Sequence, residues 1–426
     1  MMITSRIISI CSLVVFFLLS SLAPQLADAA PVSGEISSEG TWKFPKLRAD
    51  SNGVFYTLYW YNPDNLALDR KIRILWWDGA AWQEYTSISA TDVNTQLPGK
   101  DFIVYGNQNR TNFAIDSQDR LHVIFSAGSS SLSSTHDPIH GIYDGNWSFS
   151  LVSDDSNSPN NISLYIDSSD NMHVAYTVDG VNEGRNHILK YATNQSSLWA
   201  AHEILPNPYD TNDRGNDELH DTHIVVDGAG KVTILFRRED GQSNHWDNYY
   251  QAGSTDFTNF SVPTLILDGN TANKEFQLEA SLIDSNNTIH YIYNNVTDST
   301  AHFCTSVSSI CSSAPLTDVS AAVDLKIANS TLYLLTSFAD QYLWKYSVNY
   351  GNLWQDVGNS FTLTGAIQDS VAIVTNPSGF MVVSESSADW KTYFTGAEIG
   401  LIINKGFPWL DLIPGLVSPN KSIELK

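Results

Sequence analysis

The sequence has 426 residues and a formal net charge of −23 at pH 7, from 46 acidic and 23 basic side chains. This charge excludes nucleic acid and anionic membranes as partners bound through the overall electrostatic field of the chain. An anionic polysaccharide remains compatible with it, but only where cations form a local cluster.

The first 29 residues have the pattern of a secretory signal peptide. Arg6 stands before the apolar run IISICSLVVFFLLSSLA, and Ala27, Asp28 and Ala29 form a small-x-small cleavage site. The apolar run is short for a membrane span, so a retained anchor is the weaker alternative. We therefore expect a secreted protein, extracellular or periplasmic, with no membrane contact once the signal is removed.

Two cysteines, Cys304 and Cys311, remain after removal of the signal, because Cys11 lies within it. An even pair in an exported chain predicts one disulfide that closes a small loop. A metal site formed by this pair with His302 is the alternative. We expect no metal ligands at the site and no required cofactor, and the sequence leaves open a structural calcium or zinc ion.

The clearest feature of the rest of the chain is a strand–turn–strand pattern that recurs seven times. The copies are RADSNGVFYTLY (48–59), AIDSQDRLHVIF (114–125), YIDSSDNMHVAY (165–176), VVDGAGKVTILF (225–236), LIDSNNTIHYIY (282–293), LKIANSTLYLLT (325–336) and IVTNPSGFMVVS (373–384). Evenly spaced copies with hairpin turn chemistry predict an all-β fold, a seven-bladed β-propeller in a single domain. A β-sandwich would not explain seven evenly spaced copies.

The propeller is expected to span residues 30–400, with 401–426 as a C-terminal tail that packs on it or closes it. Either the segment 31–43 or the tail would close the ring by pairing with the other terminal blade. No segment has the composition of a linker between two domains, and we expect a monomer.

The repeats act as an internal control on function, because a residue type that recurs at one repeat position is structural. Aspartates recur at the turns, where they bond their own backbone. The residue after each turn is Tyr56, His122, His173, Thr233, His290, Tyr333 and Met381. This recurrence favours a structural role for His122.

One histidine departs from the repeat. When the third strands are aligned on their aromatic residue, the position of His140 is occupied in other copies by Ile74, Ile188, Asp247 and Leu343. An imidazole in a usually aliphatic position is a candidate general acid or base, because its pKa lies near neutrality. A buried histidine bonded to a carbonyl is the alternative. His136, just before this strand, is a candidate for substrate binding.

The fourth copy carries a second polar group, in ELHDTHIVV and ILFRRED. His223 lies in its first strand, and Arg237 and Arg238 end its second strand. Two adjacent arginines in so acidic a chain are a candidate anion clamp, with a salt bridge to the following Glu-Asp as the alternative. Arg185 and Tyr250 are further candidates for substrate binding.

With these features, the chain resembles the secreted, seven-bladed propeller polysaccharide lyases that cleave ulvan, a sulfated uronate-containing polymer. The resemblance covers the signal, the repeats and the polar residues of the early blades. It implies that His122 and His140 match a pair of histidines, and that Arg237 or Arg238 matches an arginine. The family's tyrosine has no counterpart at its expected place, where His223 stands instead.

The resemblance implies cleavage by β-elimination. An arginine would neutralise the uronate carboxylate, a neutral histidine would remove the C5 proton, and a second group would protonate the departing oxygen. Two alternatives remain open: a propeller glycoside hydrolase, sialidase-like or glycosidase-like, that uses carboxylates, and a non-catalytic glycan-binding propeller.

Overall fold

The computed structural model describes a large part of the chain between residues 32 and 397. The described ranges are 32–36, 41–62, 70–103, 111–129, 136–154, 159–179, 186–205, 219–239, 247–269, 274–306, 315–328, 330–338, 341–347, 351, 353–356, 367–376, 379–386 and 392–397. The predicted signal peptide, Arg185, Cys311 and the tail 401–426 lie outside these residues. Within them, no helix is long and apolar enough to cross a membrane.

Short antiparallel strands make up nearly all of the regular structure. The first fourteen are β1 (Val32–Glu35), β2 (Thr41–Ala49), β3 (Phe55–Asn62), β4 (Lys71–Trp77), β5 (Trp82–Ser89), β6 (Phe102–Ile103), β7 (Thr111–Ile115), β8 (Leu121–Gly128), β9 (His136–Tyr143), β10 (Trp147–Leu151), β11 (Pro159–Ile166), β12 (Met172–Asp179), β13 (Asn186–Thr193) and β14 (Ala200–Leu205). The others are β15 (Leu219–Val226), β16 (Val232–Glu239), β17 (Asp247–Ser254), β18 (Thr264–Asp268), β19 (Phe276–Ile283), β20 (Ile289–Asn295), β21 (Thr300–Thr305), β22 (Ala321–Ala328), β23 (Thr331–Phe338), β24 (Gln341–Ser347), β25 (Gln355–Asp356), β26 (Ile367–Asn376), β27 (Gly379–Ser386) and β28 (Thr392–Ala397).

One short helix, α1 (Ala90–Gln96), follows β5. It begins at Ser89, whose side chain accepts a hydrogen bond from the Asp92 backbone, while the Asp92 carboxylate accepts one from the Ser89 backbone. This reciprocal capping box satisfies two amide groups at the start of the helix. The buried Val93 anchors the helix to the core.

The strands form seven antiparallel sheets, numbered here along the chain. Sheet 1 is β2 to β5, sheet 2 is β6 to β10, sheet 3 is β11 to β14, sheet 4 is β15 to β18, sheet 5 is β19 to β21, sheet 6 is β22 to β25, and sheet 7 is β26, β27, β28 and β1. Sheet 5 has three described strands, so there are six complete blades of at least four strands, where the repeats predict seven. The predicted all-β, single-domain β-propeller is confirmed.

The inner strands of the sheets are arranged as a ring. Each of β2, β7, β11, β15, β19, β22 and β26 contacts the next, and β26 contacts β2. Sheet 7 contains strands from near both ends of the described chain, because β1 pairs with β28 in the register Val32↔Gly396 to Glu35↔Tyr393. Of the two segments expected to close the ring, the N-terminal one forms this pairing.

The core consists of apolar layers between neighbouring sheets. Large rings fill these layers, and the fully buried side chains include Trp60, Tyr59, Tyr176, Tyr191 and Tyr249. Burial of such large apolar areas is the main stabilising contribution to folding.

The turns between the first two strands of each sheet use the predicted aspartates. In sheet 2, Asp116 Oδ1 accepts hydrogen bonds from the backbone N–H groups of Gln118 (3.0 Å) and Arg120 (2.9 Å). Equivalent bonds are made by Asp50, Asp167, Asp227 and Asp284. The prediction that these aspartates are turn formers is therefore confirmed.

The inner strands share a second irregularity, a β-bulge. The pairing register shifts after Lys43, Asn160, His220, Leu278 and Ala322 in β2, β11, β15, β19 and β22. A bulge adds a residue to one strand and redirects the side chains next to it. Here it redirects side chains around the middle of the ring.

Candidate functional site

The inner strands surround a cavity of about 690 Å³, which we call the central cavity. This volume is in the range of small-ligand sites. The charged or titratable side chains that line it are Lys46, Arg48, Asp221, His223, Glu279, Asp324 and Lys326. They come from four inner strands, at or just after the bulges.

A cationic cluster forms one side of the central cavity. Lys46 and Arg48 lie on β2, and Lys326 lies on β22 beside Asp324, with a Lys326 Nζ–Asp324 Oδ1 distance of 3.2 Å. Burial, followed by the charge of Arg48, lowers the pKa of Lys46 to about 8, although Asp324 acts in the opposite direction. Arg48 Nη2 donates to Asn112 Oδ1 at 3.2 Å, which fixes the guanidinium. Three cations and one carboxylate leave this side positively charged.

His223 lies in the same cavity and is held through its Nε2 atom. This nitrogen is 3.2 Å from the carbonyl oxygen of Leu278, so it carries the proton and donates. Burial lowers the pKa of His223 despite the nearby carboxylate of Asp221. The ring is therefore neutral near pH 7, and its lone pair is on Nδ1. A neutral imidazole beside a cationic cluster can accept a proton from a bound acid.

Asp221 lies at the bulge of β15 and is held by two neighbours. Tyr249 Oη donates to Asp221 Oδ2 at 3.1 Å, and Arg237 Nε lies 3.3 Å from the same oxygen. Arg237 is thus paired with a cavity carboxylate, and neither Arg237 nor Arg238 is among the described residues that line the cavity. This pairing differs from the predicted clamp, in which Arg237 meets the substrate carboxylate directly.

Glu279 faces the cavity from the bulge of β19. Asn294 Nδ2 donates to Glu279 Oε1 at 2.7 Å. Asn294 also bonds both backbone groups of Ala322 in the next sheet, through Oδ1 at 2.7 Å and Nδ2 at 2.9 Å. The carboxylate is therefore fixed by the contact between sheets 5 and 6.

The structure brings His122 and His140 together, but away from the central cavity. His122 Nδ1 lies 3.0 Å from His140 Nε2, and the two rings are stacked with centroids 5.2 Å apart. Both side chains are buried, at 3% and 6% exposure, and neither is among the described residues that line the cavity. His122 and His140 therefore do not share a site with His223.

Every nitrogen of the two rings has a partner. Trp199 Nε1 donates to Ser150 Oγ (3.2 Å), which can donate to His140 Nδ1 (3.3 Å). His140 Nε2 then donates to His122 Nδ1, and His122 Nε2 to Asp116 Oδ2 (3.0 Å). Burial lowers the pKa of both histidines, that of His140 to about 3. Both rings are neutral members of a closed hydrogen-bond chain.

The strand register also corrects the alignment that singled out His140. His140 pairs with Ile124, two residues after His122, and Tyr191 pairs with Ala175, two residues after His173. By this register, the position of His140 is held elsewhere by Ile74, Tyr191, Gln251, Phe303 and Trp344. It is not generally aliphatic, because alignment on the aromatic residue shifts sheet 2 by three residues relative to sheet 3.

The remaining predicted residues are placed as follows. His136 begins β9, is 3% exposed and stacks on Phe102 at 6.0 Å. Tyr250 stacks on Phe236 at 5.8 Å and packs against the apolar layer of sheets 3 and 4, so it contacts the core and not the cavity. Cys304 is buried in β21, but its predicted partner Cys311 lies outside the described residues.

Sequence reasoning missed most of the cavity residues. Arg48 and Lys326 stand shortly before the turns, where other sheets carry Ala114, Tyr165, Val225 and Leu282. The positions of Lys46 and Asp324 are polar in several sheets, where Asn112, Ser163 and His223 stand. The charge of Arg48 and Lys326 therefore contrasts with the other repeats in the sequence itself, whereas Lys46 and Asp324 lie before the repeated segments. In the described part of the chain, no group of three or more His, Cys, Asp or Glu side chains is arranged to hold a metal ion.

The fold and this cavity define a β-propeller with a polar central site. No known protein family and no curated protein sequence matches the chain. A solved ulvan lyase of polysaccharide lyase family PL25 has a TM-score of 0.56 and 9% identity, with 85% of this chain and 95% of that chain covered. A PL25 ulvan lyase bound to -[GlcA(1-4)Rha3S]- has a TM-score of 0.54 and 10% identity, with the same coverage of the two chains. An α-L-arabinanase from Penicillium chrysogenum has a TM-score of 0.50 and 11% identity, with 86% of this chain and 98% of that chain covered.

Identities near 10% establish a shared fold alone. A propeller fold supports many unrelated chemistries, so function must be argued from the site.

Proposed function

We propose that the protein is a polysaccharide lyase that cleaves a uronate-containing polymer by β-elimination in the central cavity. The observation that carries this proposal is the meeting of a cationic cluster with a neutral histidine in one cavity of a chain with net charge −23. Elimination from a uronate requires a cation to neutralise the carboxylate and a base to remove the proton. Other proteins of this fold are ulvan lyases, which is compatible with the proposal.

In the proposed reaction, Lys46 and Arg48 bind the uronate carboxylate and make the C5 proton more acidic. His223 Nδ1 takes that proton, and the C4–O4 bond breaks as the C4=C5 double bond forms. The imidazolium then gives the same proton to O4 of the departing sugar. One proton moves from C5 to O4, and no water is consumed.

The test is to mix the purified protein with ulvan and other uronate polymers and follow the ultraviolet absorbance of the unsaturated product. Loss of a general base costs about 10²- to 10⁴-fold in rate, so His223→Ala should show this loss. His202→Ala, a half-buried histidine on β14, is the matched control. Absence of any unsaturated product with every polymer would refute the proposal.

Lys46→Ala should reduce kcat/KM on a charged polymer, because the carboxylate loses its neutralising partner. Lys71→Ala removes an exposed lysine of β4 that is not a lining residue and should have no effect. If Lys46→Ala and Lys71→Ala are equally active, a group other than Lys46 must neutralise the uronate carboxylate.

A glycoside hydrolase is the second candidate, favoured by a specific observation. Asp221 and Glu279 line one cavity from neighbouring sheets, and paired carboxylates are the usual groups of glycoside hydrolysis. Reducing ends released without an absorbing double bond, and lost in both Asp221→Asn and Glu279→Gln, would identify it. Retention on a polysaccharide column without any product would instead identify a glycan-binding protein.

We also propose that the protein acts as a secreted monomer without a cofactor. Activity should survive dialysis against a chelator, and gel filtration should give one mass near that of the mature chain. Loss of activity that added calcium or zinc restores would contradict this.

A further inference from the structure

The backbone of Asp221 is unusual for a residue inside a strand. Ten non-glycine residues in the described part of the chain have a positive φ, and eight of them lie in turns or bends. The two within strands are Asn161, with φ of 50°, and Asp221, with φ of 46°. L-residues disfavour this left-handed region, so such a conformation persists only where its surroundings hold it.

Asn161 and Asp221 occupy equivalent positions in the bulges of two neighbouring inner strands, β11 and β15, and both line the central cavity. The Asn161 amide is used within the protein, because Nδ2 donates to Thr177 Oγ1 (3.0 Å) and to the carbonyl of Leu219 (3.2 Å). Its role in connecting sheets 3 and 4 explains its conformation. At the bulge of β15 the bond to sheet 3 is made by the next residue, since Thr222 donates to the Asn161 carbonyl. Among the described contacts, the Asp221 carboxylate itself bonds only residues of its own sheet.

The Asp221 carboxylate is held through one of its two oxygens. Both described contacts, from Tyr249 and Arg237, reach Oδ2. Tyr249 is itself fixed, because its Oη accepts the backbone N–H of Leu278 at 2.8 Å. With Oδ2 anchored, Oδ1 is the oxygen that Asp221 can direct toward a ligand in the cavity. A hydroxyl that donates to an ionised carboxylate forms a charge-assisted hydrogen bond, which is stronger than a neutral one.

We propose that Asp221 is a substrate-orienting residue, whose Oδ1 accepts a hydrogen bond from a hydroxyl of the sugar ring bound at His223. Tyr249 and Arg237 are positioning residues that act through it. The inference rests on the proposed function for its reaction, but the sugar contact itself does not depend on elimination. It explains why a left-handed backbone is kept at this position, since the bulge directs the carboxylate into the cavity.

Two substitutions separate the backbone from the carboxylate. Asp221→Gly accepts the left-handed backbone without strain, whereas Asp221→Ala keeps a Cβ that opposes it. Both remove the carboxylate. We expect Asp221→Gly to unfold at a higher temperature than Asp221→Ala, and both to lose about 10- to 100-fold in kcat/KM, as expected for a charge-assisted hydrogen bond. The loss should appear mainly as a higher KM.

Tyr249→Phe serves as the test of positioning. It keeps the carboxylate and removes one of its two anchors, so kcat/KM should fall by less than in Asp221→Gly. Because it also removes the acceptor of the Leu278 N–H group, its unfolding temperature is measured alongside. Wild-type kcat/KM in both Asp221→Gly and Asp221→Ala would overturn the substrate contact. Equal unfolding temperatures of those two variants would overturn the argument from the backbone.

A binding measurement by calorimetry distinguishes this inference from the proposed function. A wild-type protein that binds the uronate polymer without forming unsaturated product, and whose Asp221→Gly variant does not bind, would refute elimination and support the role of Asp221. If the wild-type protein forms the unsaturated product and Asp221→Gly is fully active, the result would support elimination and refute the role of Asp221. Neither binding nor product in the wild type would overturn both.

Discussion

His140 and His122 form part of a chain of side chains that runs from Trp199 to Asp116. Sheet 3 has the same arrangement with different residues, since His173 Nδ1 bonds Tyr191 Oη at 2.7 Å and His173 Nε2 bonds Asp167 at 3.2 Å. A contact that recurs in the same place in two sheets is best explained by packing. We therefore interpret the histidine pair as a structural element.

His140→Ala should destabilise the protein by about 2–4 kcal/mol, because it creates a cavity and leaves His122 Nδ1 without its donor. His140→Tyr should cost less, because a tyrosine at this position can donate to the histidine as Tyr191 does. Urea unfolding of both variants measures this. A variant that keeps wild-type stability and loses kcat would instead show that His140 takes part in the reaction.

Stability should also depend on pH through this pair. Burial holds the pKa of His140 at about 3, against an ordinary value of 6.5, so the unfolded chain binds more protons between these values. The stabilisation is complete above pH 6.5 and is lost as the pH falls toward 3. One such group contributes a slope of at most about 1.4 kcal/mol per pH unit.

Free energies of unfolding at pH 7, 6 and 5 should therefore decrease, and His140→Tyr should show a shallower dependence than the wild type. An identical slope in the two proteins would assign the pH dependence to other groups.

The strands and turns were the most predictable elements of this chain. Alternating apolar residues around an Asp-containing turn identified the first two strands of each sheet, because those features are local. The bulges were not predictable, since a one-residue register shift depends on the partner strand. For the same reason, His140 was aligned with aliphatic residues, and the cavity role of Lys46 and Asp324 became visible only when the strands were paired.

The turns differ in how their aspartates are used, which allows a matched comparison. Asp284 Oδ2 also accepts a bond from the buried His290 at 2.9 Å, whereas the same position after the Asp227 turn is Thr233. Asp284→Ala should therefore cost about 1–3 kcal/mol more than Asp227→Ala, because it also leaves a buried imidazole without its acceptor. Chemical denaturation of the two variants gives the difference, and equal costs would mean that the histidine contributes nothing to the turn.

For the whole molecule, the repeats predicted the ring of sheets and their order, but they could not specify how the ring is closed. Closure depends on β1, which lies before the first repeat and resembles none of the copies. Its pairing with β28 covers the free side of that strand and connects the N-terminal segment to the last sheet, in which β1 is the edge strand.

A disulfide across this pairing should stabilise the ring. Val32 and Gly396 are directly opposite in the register, and such pairs have a Cα separation that suits a disulfide. The double variant Val32→Cys/Gly396→Cys should melt at a higher temperature than either single variant, by an amount corresponding to about 2–4 kcal/mol. A reducing agent should abolish the difference. A double variant that melts like the single variants would argue against the β1–β28 pairing.

The same pairing has a consequence for the order of events during synthesis. Val32 is made early and Gly396 is made almost last among the described residues. Sheets 1 to 6 contain only strands that are close together along the chain, so each can form as soon as its own segment is available. Sheet 7 cannot be completed until β28 has been synthesised, so β1 remains without its partner strand for nearly the whole period of translation. The final step of folding is therefore a long-range association, which is slow compared with hairpin formation.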